Sequence, residues 1–131
     1  MTNDYLAVLA HEFAPSEGSF LWQMYNRTWD KAAFTRLTDA MVACCRALDA
    51  TGKRPGGNSL DNLDWTPVPR WLADGFWFVS AGVRDFTMTW AERTQEQDYY
   101  DAAYERLYLL ASWFFTGHGP SGDSSPNFPP L

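Results

Sequence analysis

Large apolar side chains recur along the middle of this chain at the spacing of an α-helix. Six of them step by four, three, four, three and four residues: Leu72, Phe76, Val79, Val83, Phe86 and Trp90. Side chains at this spacing lie on one face of a helix. A second stripe, with steps of four, three, four and three, consists of Tyr100, Tyr104, Leu107, Ala111 and Phe114. Because apolar stripes must be covered, the spacing predicts a packed helical domain.

We predict an all-α fold, in which residues 1–116 form a single domain, an irregular antiparallel bundle of four or five helices. The clearest helix runs from Gln97 to Thr116, where Gly117 supplies a C-terminal cap. Residues 117–131 hold four of the eight prolines. We expect them to form an ordered C-terminal arm whose Phe128 and Leu131 pack against the domain itself, a second copy of the chain or another partner.

A hairpin near residues 75–91 is the alternative to a helix there. The segment 86–90 alternates apolar and polar side chains, which is typical of a strand, and Gly75 and Gly82 each weaken a helix by roughly 1 kcal/mol. The helical stripe is longer than the alternating run, so helix is the preferred interpretation. An α+β fold with this hairpin is the second prediction.

The charge balance limits the classes of partner. The chain has 131 residues and a net charge of -6, from 16 acidic and 10 basic side chains. Direct binding to nucleic acid or to anionic membranes requires clustered Lys and Arg, so we expect neither. A basic protein, including one that itself binds nucleic acid, is a compatible partner. No apolar run is long enough to span a membrane.

Few residues have the spacing of a catalytic or metal site. His11 and Glu12 begin a zinc-protease pattern, but Pro15 occupies the position of its second histidine. The adjacent Cys44 and Cys45 are unsuited to a mutual disulfide and are expected to stay thiols, which favours a cytoplasmic location. We therefore predict no catalytic residue, no metal and no cofactor; whether the chain is an enzyme stays open, with "no" favoured.

An acidic ridge is the first candidate binding feature. It consists of Glu92, Glu96, Asp98, Asp101 and Glu105. Asp98, Asp101 and Glu105 step by three and four, so they share one helix face. Such a ridge can present carboxylates to a basic groove, as proteins that imitate nucleic acid do. A solvated helix face with no binding role is the alternative interpretation.

The tryptophans are the second candidate feature. The chain has seven, more than a small helical core comfortably hides, and exposed aromatic surface marks interfaces or ligand pockets. Trp65, Trp71 and Trp77 are the predicted partner-binding tryptophans. A homodimer would be one way to cover them.

Together these features favour a small acidic cytoplasmic module that binds or inhibits a protein through aromatic anchors with an acidic rim. Small inhibitors from phage or mobile elements, such as anti-CRISPR proteins, share this size, charge and helix content, although no motif here identifies a family. The alternative is a small-molecule-binding protein or small enzyme with an aromatic-lined pocket between helices. Tyr25, Tyr104, His11 or Asp85 would then supply polar contacts.

Overall fold

The computed structural model describes residues 4–51, 69–117 and 131. These residues contain six α-helices and no strand. The helices are α1 (Asp4–Glu12), α2 (Phe20–Tyr25), α3 (Lys31–Thr51), α4 (Arg70–Thr87), α5 (Ala91–Gln95) and α6 (Gln97–Thr116). The all-α prediction is confirmed. The described residues form six helices where four or five were predicted, and two of the six, α2 and α5, are short. The arm beyond Gly117 lies outside the described residues, apart from its last residue.

Residues 75–91 are helical, with a break close to their end. α4 ends at Thr87, and Trp90 has an extended backbone as the N-cap of α5. The apparent strand alternation therefore falls on a helix end and the following turn. The side chain of Phe86 is 42% exposed, so it leaves the predicted stripe. Thr87 is buried instead, and its hydroxyl donates to the carbonyl oxygen of Val83 at 2.9 Å.

α4 and α6 pack antiparallel through their apolar stripes. Near the start of α4 and the end of α6, the rings of Phe76 and Phe114 stack at 4.0 Å. Near the opposite ends, the hydroxyl oxygens of Thr87 and Tyr104 lie 2.6 Å apart. α3 packs on α1 and on α6, so the two long stripes are covered within the bundle.

A buried carboxylate joins α1 to α2. The side chain of Glu12 is 1% exposed, and its Oε1 accepts a hydrogen bond from the backbone N–H of Phe20 at 2.7 Å. Its Oε2 lies 3.3 Å from Nε of Arg36 on α3. Ser19 caps α2 by accepting from the N–H of Trp22 at 3.0 Å. These bonds satisfy N–H groups that have no partner within the helix. They also fix the position of the start of α2 relative to the end of α1.

Candidate functional site

The bundle leaves part of its aromatic surface uncovered. Trp113 and Trp90 are buried. Trp29 is half-buried, and its ring centre lies 4.8 to 5.2 Å from those of Phe20, Phe34 and Tyr100. The three remaining tryptophans in the described ranges are exposed, with fractions of 37%, 41% and 62% for Trp22, Trp71 and Trp77. The core therefore hides only some of the tryptophans.

A hollow with a largely aromatic lining lies between the end of α1, α2 and the first half of α4. Its volume is about 360 Å³. The residues that line it are Phe13, Pro15, Leu21, Tyr25, Trp71, Asp74, Gly75 and Phe78. A second hollow of about 280 Å³ shares Phe13 and Trp71 with it and extends toward Ala10 and Ala14. We call these two hollows together the aromatic groove.

Two glycines on α4 make room for the rings of this groove. A Cβ atom at Gly75 would lie 2.1 Å from Cδ2 of Phe13, so the ring of Phe13 rests directly on the helix backbone. A Cβ atom at Gly82 would lie 2.9 Å from Cε1 of Phe78. With Trp71 and Phe86, these α4 residues step by helical intervals along one face. The interleaving of glycine and aromatic residues was visible in the sequence, and it marks the α4 side of the groove.

The aromatic surface continues past the groove toward the end of α4. The ring of Tyr25, which is 45% exposed, lies 5.2 Å from the ring of Phe86. Phe86 in turn lies 6.3 Å from the buried ring of Trp90, over which the guanidinium of Arg27 lies at 5.3 Å. The surface thus follows α4 for most of its length.

Two carboxylates border this surface on α4. Asp74 and Asp85 are both exposed. Asp74 lies 3.5 Å from Nε of Arg70, but both side chains are mostly in water, and exposed pairs of this kind contribute little. On this side the border of the groove therefore carries two carboxylates and the guanidinium of Arg70.

A second concave surface, the charged cleft, lies between α4, α5 and α6. Its volume is about 530 Å³. Its charged and phenolic lining consists of Arg84, Arg93, Asp101, Tyr104, Glu105 and Tyr108. The phenol of Tyr104 is held by Thr87, and the guanidinium of Arg84 lies 6.0 Å from the centre of its ring. Carboxylates and guanidiniums thus meet at one opening.

The structure divides the predicted acidic ridge. Asp101 and Glu105 line the charged cleft beside two arginines. Glu96 binds Nζ of Lys31 at 2.7 Å, and this hydrogen bond raises the pKa of Lys31. Glu92 and Asp98 are exposed. The five carboxylates therefore lie in different surroundings.

The predicted tryptophans are also separated. Trp71 lines the aromatic groove. Trp77 follows six residues later on α4, and because each residue of an α-helix turns by about 100°, it lies about 120° away around the helix axis. Trp65 lies outside the described residues. Among the residues that the structure describes, Trp71 and Trp77 thus lie on different faces of α4, and the acidic residues lie on α5, on α6 and between them.

The described ranges offer no metal site and no membrane-spanning helix. They contain no group of three or more His, Cys, Asp or Glu side chains that could hold a metal ion. None of their helices combines the length and apolar character needed to cross a bilayer. Cys44 and Cys45 are both buried thiols.

Comparisons with known proteins add no relative. No protein-family model, no curated protein and no solved structure matches this chain. Function is therefore inferred from the two concave surfaces and their chemistry.

Proposed function

We propose that this chain is a small protein-binding module that occupies the surface of a partner through its aromatic groove. The supporting observation is an apolar hollow on the outside of a bundle whose core is already closed. Trp71 and Tyr25, at its border, are 41% and 45% exposed. Exposed Trp and Tyr next to an apolar hollow are typical of surfaces that bind the anchor residues of a partner.

The partner we propose is a protein segment with one large apolar side chain flanked by Lys or Arg. The apolar side chain would enter the hollow beside Phe13, and its burial would contribute about 1.5–3 kcal/mol. The basic residues would face Asp74 and Asp85. A net charge of -6 would attract such a partner over long distances and speed encounter more than it strengthens the final complex.

The proposed effect on the partner is inhibition by coverage. A module that acts in this way needs no reaction of its own, and it competes with whatever else binds the covered surface. The two buried thiols support a reducing compartment, and we propose the cytoplasm.

The test uses two tryptophans of the same helix. Partners are captured from a lysate of the producing cells with the full chain, identified, purified and titrated against wild type and two variants. We expect Trp71→Ala to weaken binding by roughly 30-fold, as truncation of a central anchor does. Trp77→Ala is the matched control, because Trp77 is more exposed but lies outside the groove, and its affinity is expected to stay unchanged.

Three results would contradict the proposal. Equal affinity of Trp71→Ala and wild type would exclude the groove as the binding surface. Retention of no partner even at low salt would exclude a basic partner. A stable dimer in size-exclusion chromatography with light scattering, dissociated by Trp71→Ala, would assign the groove to a second copy of the chain instead.

A further inference from the structure

The charged cleft sorts its charges by helix. Both guanidiniums belong to the side formed by α4 and α5, at Arg84 and Arg93, and both carboxylates belong to α6, at Asp101 and Glu105. No ion pair joins these four side chains to one another or to any other group in the described part of the chain. The cleft is therefore neutral as a whole, with a basic wall and an acidic wall.

In the basic wall, one guanidinium lies over an aromatic ring and the other has an N–H group without a hydrogen-bond partner among the described residues. Nε of Arg93 is covered by protein and has no hydrogen-bond partner among the described residues, although a guanidinium carries five N–H donors and is always charged. Arg84 lies over the ring of Tyr104. The hydrogen bond between the hydroxyls of Thr87 and Tyr104, which lie 2.6 Å apart, fixes the Tyr104 ring beside Arg84.

We propose that the charged cleft binds a small zwitterionic molecule. Its anionic group is bound by Arg84 and Arg93, and its cationic group is bound by Asp101 and Glu105. The volume of about 530 Å³ lies within the range of small-molecule sites, roughly 300–1,000 Å³. Tyr104 and Tyr108 add ring surface beside the charges, which favours a ligand with a short apolar spacer between its two ends.

The sorting of charges is what selects a zwitterion. A simple anion would meet two guanidiniums but also two nearby carboxylates that repel it, and a simple cation would meet the reverse. A molecule with both charges gains from each wall without the opposing repulsion. This site is separate from the aromatic groove and goes beyond the proposed function, so either can fail without the other.

The test measures binding of 5-aminopentanoate to the full ¹⁵N-labelled chain by NMR at low ionic strength. Pentanoate and pentylamine are the matched probes that each lack one charge. We expect saturable shifts of amide signals in α4 and α6 with 5-aminopentanoate, and binding of either single-charge probe that is roughly tenfold weaker, the effect of about 1.4 kcal/mol.

Variants with controls on the same kinds of residue complete the test. Arg84→Gln and Asp101→Asn are each expected to weaken 5-aminopentanoate severalfold. Arg46→Gln and Asp39→Asn remove the same charges at exposed positions of α3, outside the cleft, and are expected to change nothing. Absence of saturable shifts would overturn the proposal. So would equal affinity for pentanoate or pentylamine, and so would equal losses in the cleft variants and the controls.

Discussion

Replacing Gly75 with alanine tests how the aromatic groove is built. In an exposed helix, Gly→Ala stabilises by roughly 1 kcal/mol. Here the new methyl group would lie 2.1 to 2.5 Å from three ring atoms of Phe13, including Cγ. Cγ is bonded directly to Cβ of Phe13, so turning the ring about that bond does not move Cγ away from the new methyl group, and the side chain must leave its place.

The expected loss follows from what Phe13 gives up. Its ring makes an edge contact with Phe76 at 5.7 Å, and such a contact is worth about 0.5–1.5 kcal/mol. Partial burial of the ring adds about 1–2 kcal/mol. After the gain in helix propensity is subtracted, we expect Gly75→Ala to lower the free energy of unfolding by about 1–2 kcal/mol, measured by urea titration.

Gly82→Ala is the matched control on the same helix. Its methyl group would meet the outer edge of the Phe78 ring at 2.9 to 3.3 Å, which a half-buried side chain can relieve by turning. We expect this variant to be as stable as wild type or more stable by up to about 1 kcal/mol.

A double-mutant cycle separates the clash from other effects of the substitution. In a Phe13→Ala background the ring is absent, and Gly75→Ala is expected to stabilise by roughly 1 kcal/mol, a reversal of sign. Equal destabilisation by Gly75→Ala with and without Phe13 would show that the Phe13 ring does not rest on the backbone of α4. The packing described for the aromatic groove would then be wrong.

Two further predictions concern buried polar groups. Glu12→Ala removes a charged acceptor from the N–H of Phe20, so we expect the free energy of unfolding to fall by about 2–3 kcal/mol in urea titration; a change below about 0.5 kcal/mol would contradict the structural role of Glu12. Burial, together with the carboxylates of Glu92 and Glu96, raises the pKa of Tyr100 from 10.0 to about 12. Because the folded state holds this proton more tightly, its stabilising effect is complete below pH 10 and is lost as the pH rises from 10 through about 12. Tyr100→Phe should therefore show a shallower loss of stability over that interval; an identical slope in urea titrations at several pH values would refute it.

The helical fold could be predicted because two apolar stripes dominate the sequence. α6 was predicted with its observed bounds, and Gly117 ends it in the left-handed conformation, with φ of 88°. The break between α4 and α5 could not be predicted, because no Gly or Pro marks residues 83–95. The position of the break depends instead on which side chains reach the core. Trp90 is 2% exposed and enters the core from the N-cap of α5, after α4 has ended.

The candidate sites were less accessible to sequence reasoning because they depend on contacts between distant residues. Trp113 lies one position from the stripe residue Phe114, yet it is fully buried, and its Nε1 donates to Asp49 at 2.9 Å. Trp77 has a comparable sequence setting and is exposed. Glu12 looked like part of a local metal motif, whereas its partners are Phe20, eight residues away, and Arg36 on another helix.

α4 connects these observations because its faces have different roles. One face carries the core stripe through Phe76, a second carries the glycines and rings of the aromatic groove, and a third carries Arg84 at the charged cleft. Because α4 packs on its core face, it supplies one wall of each surface. The same packing explains why the aromatic residues of α4 cannot all be buried: a single helix has one core face, and the rings on the others remain available to a partner.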